Sequence, residues 1–134
     1  MELKNLSDLH IHLGSTQTPH FLWELAHKQG IRVVEKEYWK FIELVTVKKN
    51  IPSKQYLKKL DRKVSDKPSP FEITHKIQSS PVAVEECVHR SISDAYLNGA
   101  MDLIELRFNP MFRTNNGEYD LDKIIFGLCE ILCL

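Results

Sequence analysis

The stretch Asp8-Leu9-His10-Ile11-His12-Leu13-Gly14 decides how this chain is read. Through it, Leu9, Ile11 and Leu13 fall on one side and Asp8, His10 and His12 on the other. Such period-two alternation over Leu6 to Leu13 predicts a β-strand with one apolar face and one chemically loaded face. Residues two apart on a strand share a face, with Cβ atoms about 7 Å apart. Two imidazoles at that spacing can converge on one metal ion, each nitrogen about 2.0–2.1 Å from it. Two unrelated histidines on a partly exposed edge would read the same way; the flanking Asp8 and the helix that follows favour the metal site.

Working outward, Thr18 fits an N-cap, Pro19 the first helical position and Gly30 a left-handed stop, with Phe21, Leu22, Leu25 and Ala26 as the apolar stripe between. Strand, short loop and capped helix make one βα step. Residues 35–63 predict two short helices broken at Asn50-Ile51-Pro52. Tyr38, Trp39, Phe41, Ile42 and Val45 serve the first, and Tyr56, Leu57 and Leu60 the second. Residues 64–80, with Pro68, Pro70 and several serines, read as a loop. Ser80 and Pro81 open a long helix whose buried stripe is Val84, Val88, Ile92 and Ala95, and Gly99 closes it. Met101 to Asn109 is a second strand, with Ile104, Leu106 and Phe108 on one face and Leu103, Glu105 and Arg107 on the other. Asp120 can cap a last helix through Leu121, Ile124, Ile125 and Leu128.

The order βα, an inserted helical segment over about residues 35–98, then βα again, places the chain in the α/β class. It predicts the first two βα units of a TIM (β/α)8 barrel, the active-site face lying where strands lead into helices. The last helix runs to Cys129-Glu130-Ile131-Leu132-Cys133-Leu134 without a glycine stop or a basic last turn. A barrel of this kind takes roughly 250 residues, so the expectation is an N-terminal portion, 1–134, of a larger one. Strand Met101 to Asn109 and residues Ile124, Leu128 and Leu132 are then expected to be exposed, which predicts that the chain alone self-associates or is poorly soluble and, lacking the later segments, has no deaminase activity.

Composition narrows the function. Eighteen basic residues balance eighteen acidic ones, so no positive field points to nucleic acid. The start lacks the basic and apolar regions of a signal peptide, and no apolar run approaches a membrane span. Cys87, Cys129 and Cys133 are an odd number and no disulfide framework. The expectation is a cytoplasmic protein with no membrane and no nucleic-acid partner.

The stretch Asp8 to Gly14, with Thr18-Pro19 and Leu22-Trp23-Glu24-Leu25-Ala26 up to Gly30-Ile31, resembles the opening of the adenosine deaminase family. Gly99 to Pro110 resembles that family's second strand. The two matches stand in the family's order, some ninety residues apart. The resemblance is clear over roughly forty residues, and Pro52 to Asp61 is similar to a helix that lids the family's pocket. It implies a zinc-dependent aminohydrolase that deaminates a purine nucleoside or base and releases ammonia. His10 and His12 match its zinc ligands, and Tyr56, Leu57 and Leu60 stand where apolar pocket residues would be. The family's other ligands, a third histidine and an aspartate, lie on later strands, as do its proton-shuttling glutamate and a further histidine, so no catalytic residue is assigned here. Gly14 is a departure: it occupies the substrate-contacting position where the family usually has a carboxylate, and Ser15 follows where a glycine is common. That weakens the assignment to adenosine specifically and leaves the metal chemistry as it is.

A metal phosphoesterase of the polymerase-and-histidinol-phosphatase type also opens Asp-Leu-His-x-His, but continues with serine and Ser-Asp-Gly, whereas Leu13-Gly14-Ser15-Thr16-Gln17 follows here. A truncated gene product with no metal and no activity is a third reading. Glu105 and Arg107 read as a satisfied polar layer, and His20, His27, His75 and His89 as solvated surface histidines. Cys129 and Cys133, four apart on a helix, read as core thiols rather than metal ligands. Lys54, Lys58, Lys59, Arg62 and Lys63 read as a solvated helix face.

Overall fold

The structure is a computed structural model that describes residues 6–46, 69–114 and 119–132. In chain order these form β1 (Leu6–His12), a 3-10 turn (Leu13–Ser15), α1 (Pro19–Lys28), α2 (Tyr38–Val45), α3 (Pro70–Ile77), α4 (Pro81–Gly99), β2 (Met101–Arg107), a second 3-10 turn (Pro110–Arg113) and α5 (Leu121–Leu132). The described residues are mixed α/β, and the two strands among them pair in parallel. No helix among the described residues is long and apolar enough to cross a membrane. The chain divides into two compact units: Met1–Gln17 with Gln78–Leu134, and Thr18–Ile77.

In the unit Thr18–Ile77, α1 begins as its local chemistry dictates. Thr18 Oγ1 accepts from the Phe21 N–H at 3.3 Å, and Pro19 takes the first helical position. The helix ends in a Schellman motif. Gly30 adopts φ +66°, its N–H reaches the His27 carbonyl, and the Ile31 N–H reaches that of Ala26 at 2.8 Å. Leu22, Leu25 and Ala26 are buried with Phe41 of α2 and with Ile73 and Ile77 of α3. Trp39, expected to serve the core, is instead 75% exposed, because α2 turns only Phe41 fully inward.

Helix α3 lies where the prolines predicted a loop. The signal was local. Ser69 Oγ accepts from the Glu72 N–H (3.2 Å) while Glu72 reaches back to the Ser69 N–H (2.9 Å), a capping box with Pro70 at the first helical position. Pro70 therefore starts this helix rather than breaking it. The second predicted short helix, with Tyr56, Leu57 and Leu60, and the basic run Lys54 to Lys63 lie outside the described residues.

In the other unit, Ser80 caps α4 through the Ala83 N–H at 3.0 Å. Ala83, Val84, Cys87, Val88 and Ser91 form its buried face; Ile92 and Ala95 are only half-buried. Gly99 is the last helical residue, and the left-handed position falls on Ala100, at φ 49°. That conformation costs an alanine roughly 1–2 kcal/mol. Helix α4 packs along α5 and against β2. Asp120 caps α5 through the Asp122 N–H at 3.0 Å. Ile124, expected to be exposed, is fully buried, whereas Ile125 and Phe126 face outward, Phe126 being 63% exposed. Cys129 is exposed rather than a core thiol, and Cys133 lies outside the described residues.

The parallel ladder pairs Leu6 with Met101, Ser7 with Leu103, Asp8 with Ile104, Ile11 with Leu106 and His12 with Arg107. Three residues separate Asp8 from Ile11, but only two separate their partners, so β1 carries one extra residue between them. This breaks the alternation expected for the strand. Asp8 shares the row of Ile104, whereas His12 shares that of Arg107. Leu13 leaves the strand to be buried in the 3-10 turn, and Leu9 is 54% exposed.

Candidate metal site at the end of the first strand

His10 and His12 flank Ile11 in the last three positions of β1, just before the 3-10 turn. Their rings are tilted by 47° with centroids 5.0 Å apart, and the two Nε2 atoms are 3.1 Å apart. Two nitrogens bound tetrahedrally to zinc at about 2.0–2.1 Å stand about 3.3 Å from one another. The pair is thus spaced to hold one ion through both Nε2 atoms, and both side chains are exposed to it.

Asp8 does not join them. Its Oδ1 accepts from the His10 N–H at 3.0 Å, so the carboxylate braces the strand backbone at the position of the extra residue. Among the described residues no group of three or more His, Cys, Asp or Glu side chains comes together. The pair by itself offers two ligands of the four that a tetrahedral site needs.

The turn after His12 is held at each carbonyl. Ser15 Oγ donates to His12 O (3.0 Å), Thr16 Oγ1 to Leu13 O (2.9 Å), and Gln78 Nε2 to Gly14 O (3.2 Å). Thr16 Oγ1 also meets Ser91 Oγ at 2.7 Å, and Gln17 Nε2 donates to the Cys87 carbonyl (3.0 Å) and to Ser91 Oγ (2.8 Å). These bonds anchor the turn to α4. Gly14, read as a substrate-contacting position, has a carbonyl held by Gln78, and a Cβ there would stand 3.3 Å from Arg113 Nη2.

Arg113 is the surprise of this interior. It is only 2% exposed, donates through Nη1 to Gln78 Oε1 at 3.2 Å, and leaves Nε without a partner. Burial lowers its pKa, partly opposed by Cys87, and pushes the Cys87 thiol up to about 12, with Arg113 acting the other way. The thiol is therefore neutral at physiological pH and inert as a nucleophile. Neither Gln78 nor Arg113 stood out in the sequence, since they lie far from the histidines along the chain and carry no local pattern. Glu105 and Arg107 satisfy one another, Arg107 Nη2 meeting Glu105 Oε1 at 2.8 Å. Of the surface histidines, His20 pairs with Glu24 at 3.2 Å and His27 Nδ1 meets the Trp23 carbonyl at 2.7 Å.

Set against known proteins, the chain matches no family model and no curated protein.

Proposed function

We propose that this chain carries the zinc-binding strand of a hydrolytic purine deaminase of the adenosine deaminase type, within the first two βα units of a (β/α)8 barrel. One observation carries the reading: the 3.1 Å separation of the His10 and His12 Nε2 atoms at the end of a strand in a parallel sheet. The end of a strand leading into a helix is where such barrels place their chemistry. The resemblance of Asp8 to Gly14 and of Gly99 to Pro110 to that family supports the same class.

Replacing an aromatic amino group by oxygen needs a strong nucleophile at neutral pH. Zinc supplies it, by lowering the pKa of a water molecule to about 7. His10 and His12 would hold that ion through their Nε2 atoms. Tyr56, Leu57 and Leu60 would cover the apolar faces of the purine. Gly14 offers a sugar hydroxyl no side-chain acceptor.

The last point sets the substrate. A hydrogen bond to a charged group contributes about 1.5–3 kcal/mol, or roughly ten- to a hundredfold in specificity. Adenosine is therefore expected not to be a uniquely good substrate of the complete protein, with free adenine or a modified purine nucleoside serving as well or better. Ammonia release by the complete protein across a panel of these compounds checks it. Preference for adenosine by several orders of magnitude would overturn the role given to Gly14. Phosphate release from a phosphomonoester, without ammonia release from any purine, would transfer the histidine pair to the phosphoesterase class.

The chain alone is also proposed to self-associate. Among the described residues β1 and β2 pair only with each other, and Leu9, Leu103 (57% exposed) and Phe126 are open to solvent. Open strand edges and apolar surface of this kind drive association. Light scattering is expected to give a mass above 15.6 kDa that rises with concentration. A concentration-independent monomer would count against it.

A further inference from the structure

We infer that Gln78 and Arg113 are positioning residues for the His10–His12 pair, an inference that rests on the zinc reading above. A metal-binding pair at an exposed strand end keeps its 3.1 Å spacing only if the backbone that carries it stays in place. Past His12 the ladder to β2 stops, and the chain enters the 3-10 turn. The bonds from Ser15 and Thr16 to the carbonyls of His12 and Leu13 span three residues each, so they move with the turn. It is tethered from elsewhere at two places: α4, whose Ser91 and Cys87 meet Thr16 and Gln17, and Gln78, which donates directly to the Gly14 carbonyl two residues beyond His12.

Gln78 is fully buried, and its amide has one orientation that works. Arg113 Nη1 donates to Oε1, which commits the Nε2 amino group to Gly14 O. The same guanidinium sets Nη2 where it leaves room for glycine but crowds any larger residue at position 14. Among the described residues no carboxylate pairs with Arg113, and its Nε is unsatisfied. Burying a charge in this way is costly, and an apolar side chain of similar volume would pack as well or better. What the guanidinium adds is geometry: two nitrogens aimed at one amide and one glycine. Groups hydrogen-bonded directly to a metal ligand change metal affinity about 10- to 100-fold when altered; Gln78 acts one step further out, through the Gly14 carbonyl two residues beyond His12.

Gln78→Glu separates positioning from simple packing. A carboxylate still accepts from Arg113, and supplies its missing counter-charge, but it has no N–H to donate to Gly14 O. Gly14→Ala is the second variant, disturbing the same contact from the turn through a methyl group 3.3 Å from Nη2. The complete protein with its full ligand set, as wild type and as both variants, is titrated with zinc by calorimetry, melted thermally, and loaded with cobalt(II) for visible absorption. The expected result is a Gln78→Glu melting temperature at or above wild type, with a zinc dissociation constant raised tenfold or more. Gly14→Ala raises that constant as well, and the cobalt spectrum shifts in both. Unchanged zinc affinity and an unchanged cobalt spectrum in both variants would overturn the positioning role and leave the zinc reading standing. If Gln78→Glu does not fold, Gly14→Ala decides. Zinc that stays bound to the complete protein when both His10 and His12 are replaced would overturn both readings.

Discussion

In the complete deaminase of which this chain is read as the N-terminal portion, replacement of His10 and His12 together by alanine is expected to abolish zinc binding while leaving the fold intact; the chain alone, with two ligands, is expected to bind zinc only weakly. Both side chains are exposed, and their only mutual bond is the 3.1 Å contact between the Nε2 atoms. Surface changes of this kind usually shift stability by no more than about 0.5 kcal/mol, so the circular dichroism spectrum and melting temperature should hold. Metal content is a different matter. Two imidazoles supply half of a tetrahedral set, and either one alone is a weak, monodentate site. Each single variant should therefore lose most of the affinity, and the double variant all of it above background. If the protein deaminates purines through this site, activity falls with the metal, by on the order of 10⁴ or more, because water then returns from a pKa of about 7 towards 15.7. Zinc stoichiometry by elemental mass spectrometry, measured on samples with matched spectra, is the check. A double variant that retains its zinc would refute the assignment of these two residues.

The second large effect is expected at Gly127, in the middle of α5. Mid-helix Gly→Ala ordinarily stabilises, by about 1 kcal/mol, through helix propensity. Here the added Cβ would stand 2.9 Å from the Pro81 carbonyl oxygen and 3.4 Å from its carbon, both backbone atoms of α4. Backbone cannot rotate away, so the two helices must separate around buried Ile124, Val84 and Val88. Overpacking of a tight core costs typically about 1–3 kcal/mol, which outweighs the propensity gain. Gly127→Ala is therefore expected to destabilise by about 1–2 kcal/mol, with a larger effect for Gly127→Val. Gly99→Ala provides the contrast, because the nearest atoms there, 3.3–3.7 Å away, belong to the flexible Met101 side chain. Chemical denaturation of the three variants against wild type reads the difference. A stabilised Gly127→Ala would mean that α4 and α5 approach less closely than described.

Where a signal was confined to a few residues, the sequence by itself carried it. Thr18, Ser80 and Asp120 cap helices through N–H groups two or three residues away, and Gly30 supplies the positive φ that stops α1. The strand over Leu6–His12, and with it the candidate pair, was legible for the same reason: spacing of two on an extended chain puts both imidazoles within reach of one point. Even α3 was legible in principle, since the Ser69–Glu72 capping box spans only three residues; Pro70 was weighed as a breaker when it sits at the one helical position that suits it. Packing alone decided the rest. Trp39 and Ile124 exchanged their expected exposures because a helical pattern shows that a stripe exists, not how much of it a neighbour covers. The extra residue in β1 that separates Asp8 from the row of His12 exists only relative to β2, whose partners lie more than ninety positions away. Arg113 carries no local pattern in the sequence, and only the fold buries it beside Gly14 and Gln78. A cap or an alternation is a property of neighbouring bonds, whereas burial, register and a long-range hydrogen bond are properties of two segments that the chain itself does not place side by side.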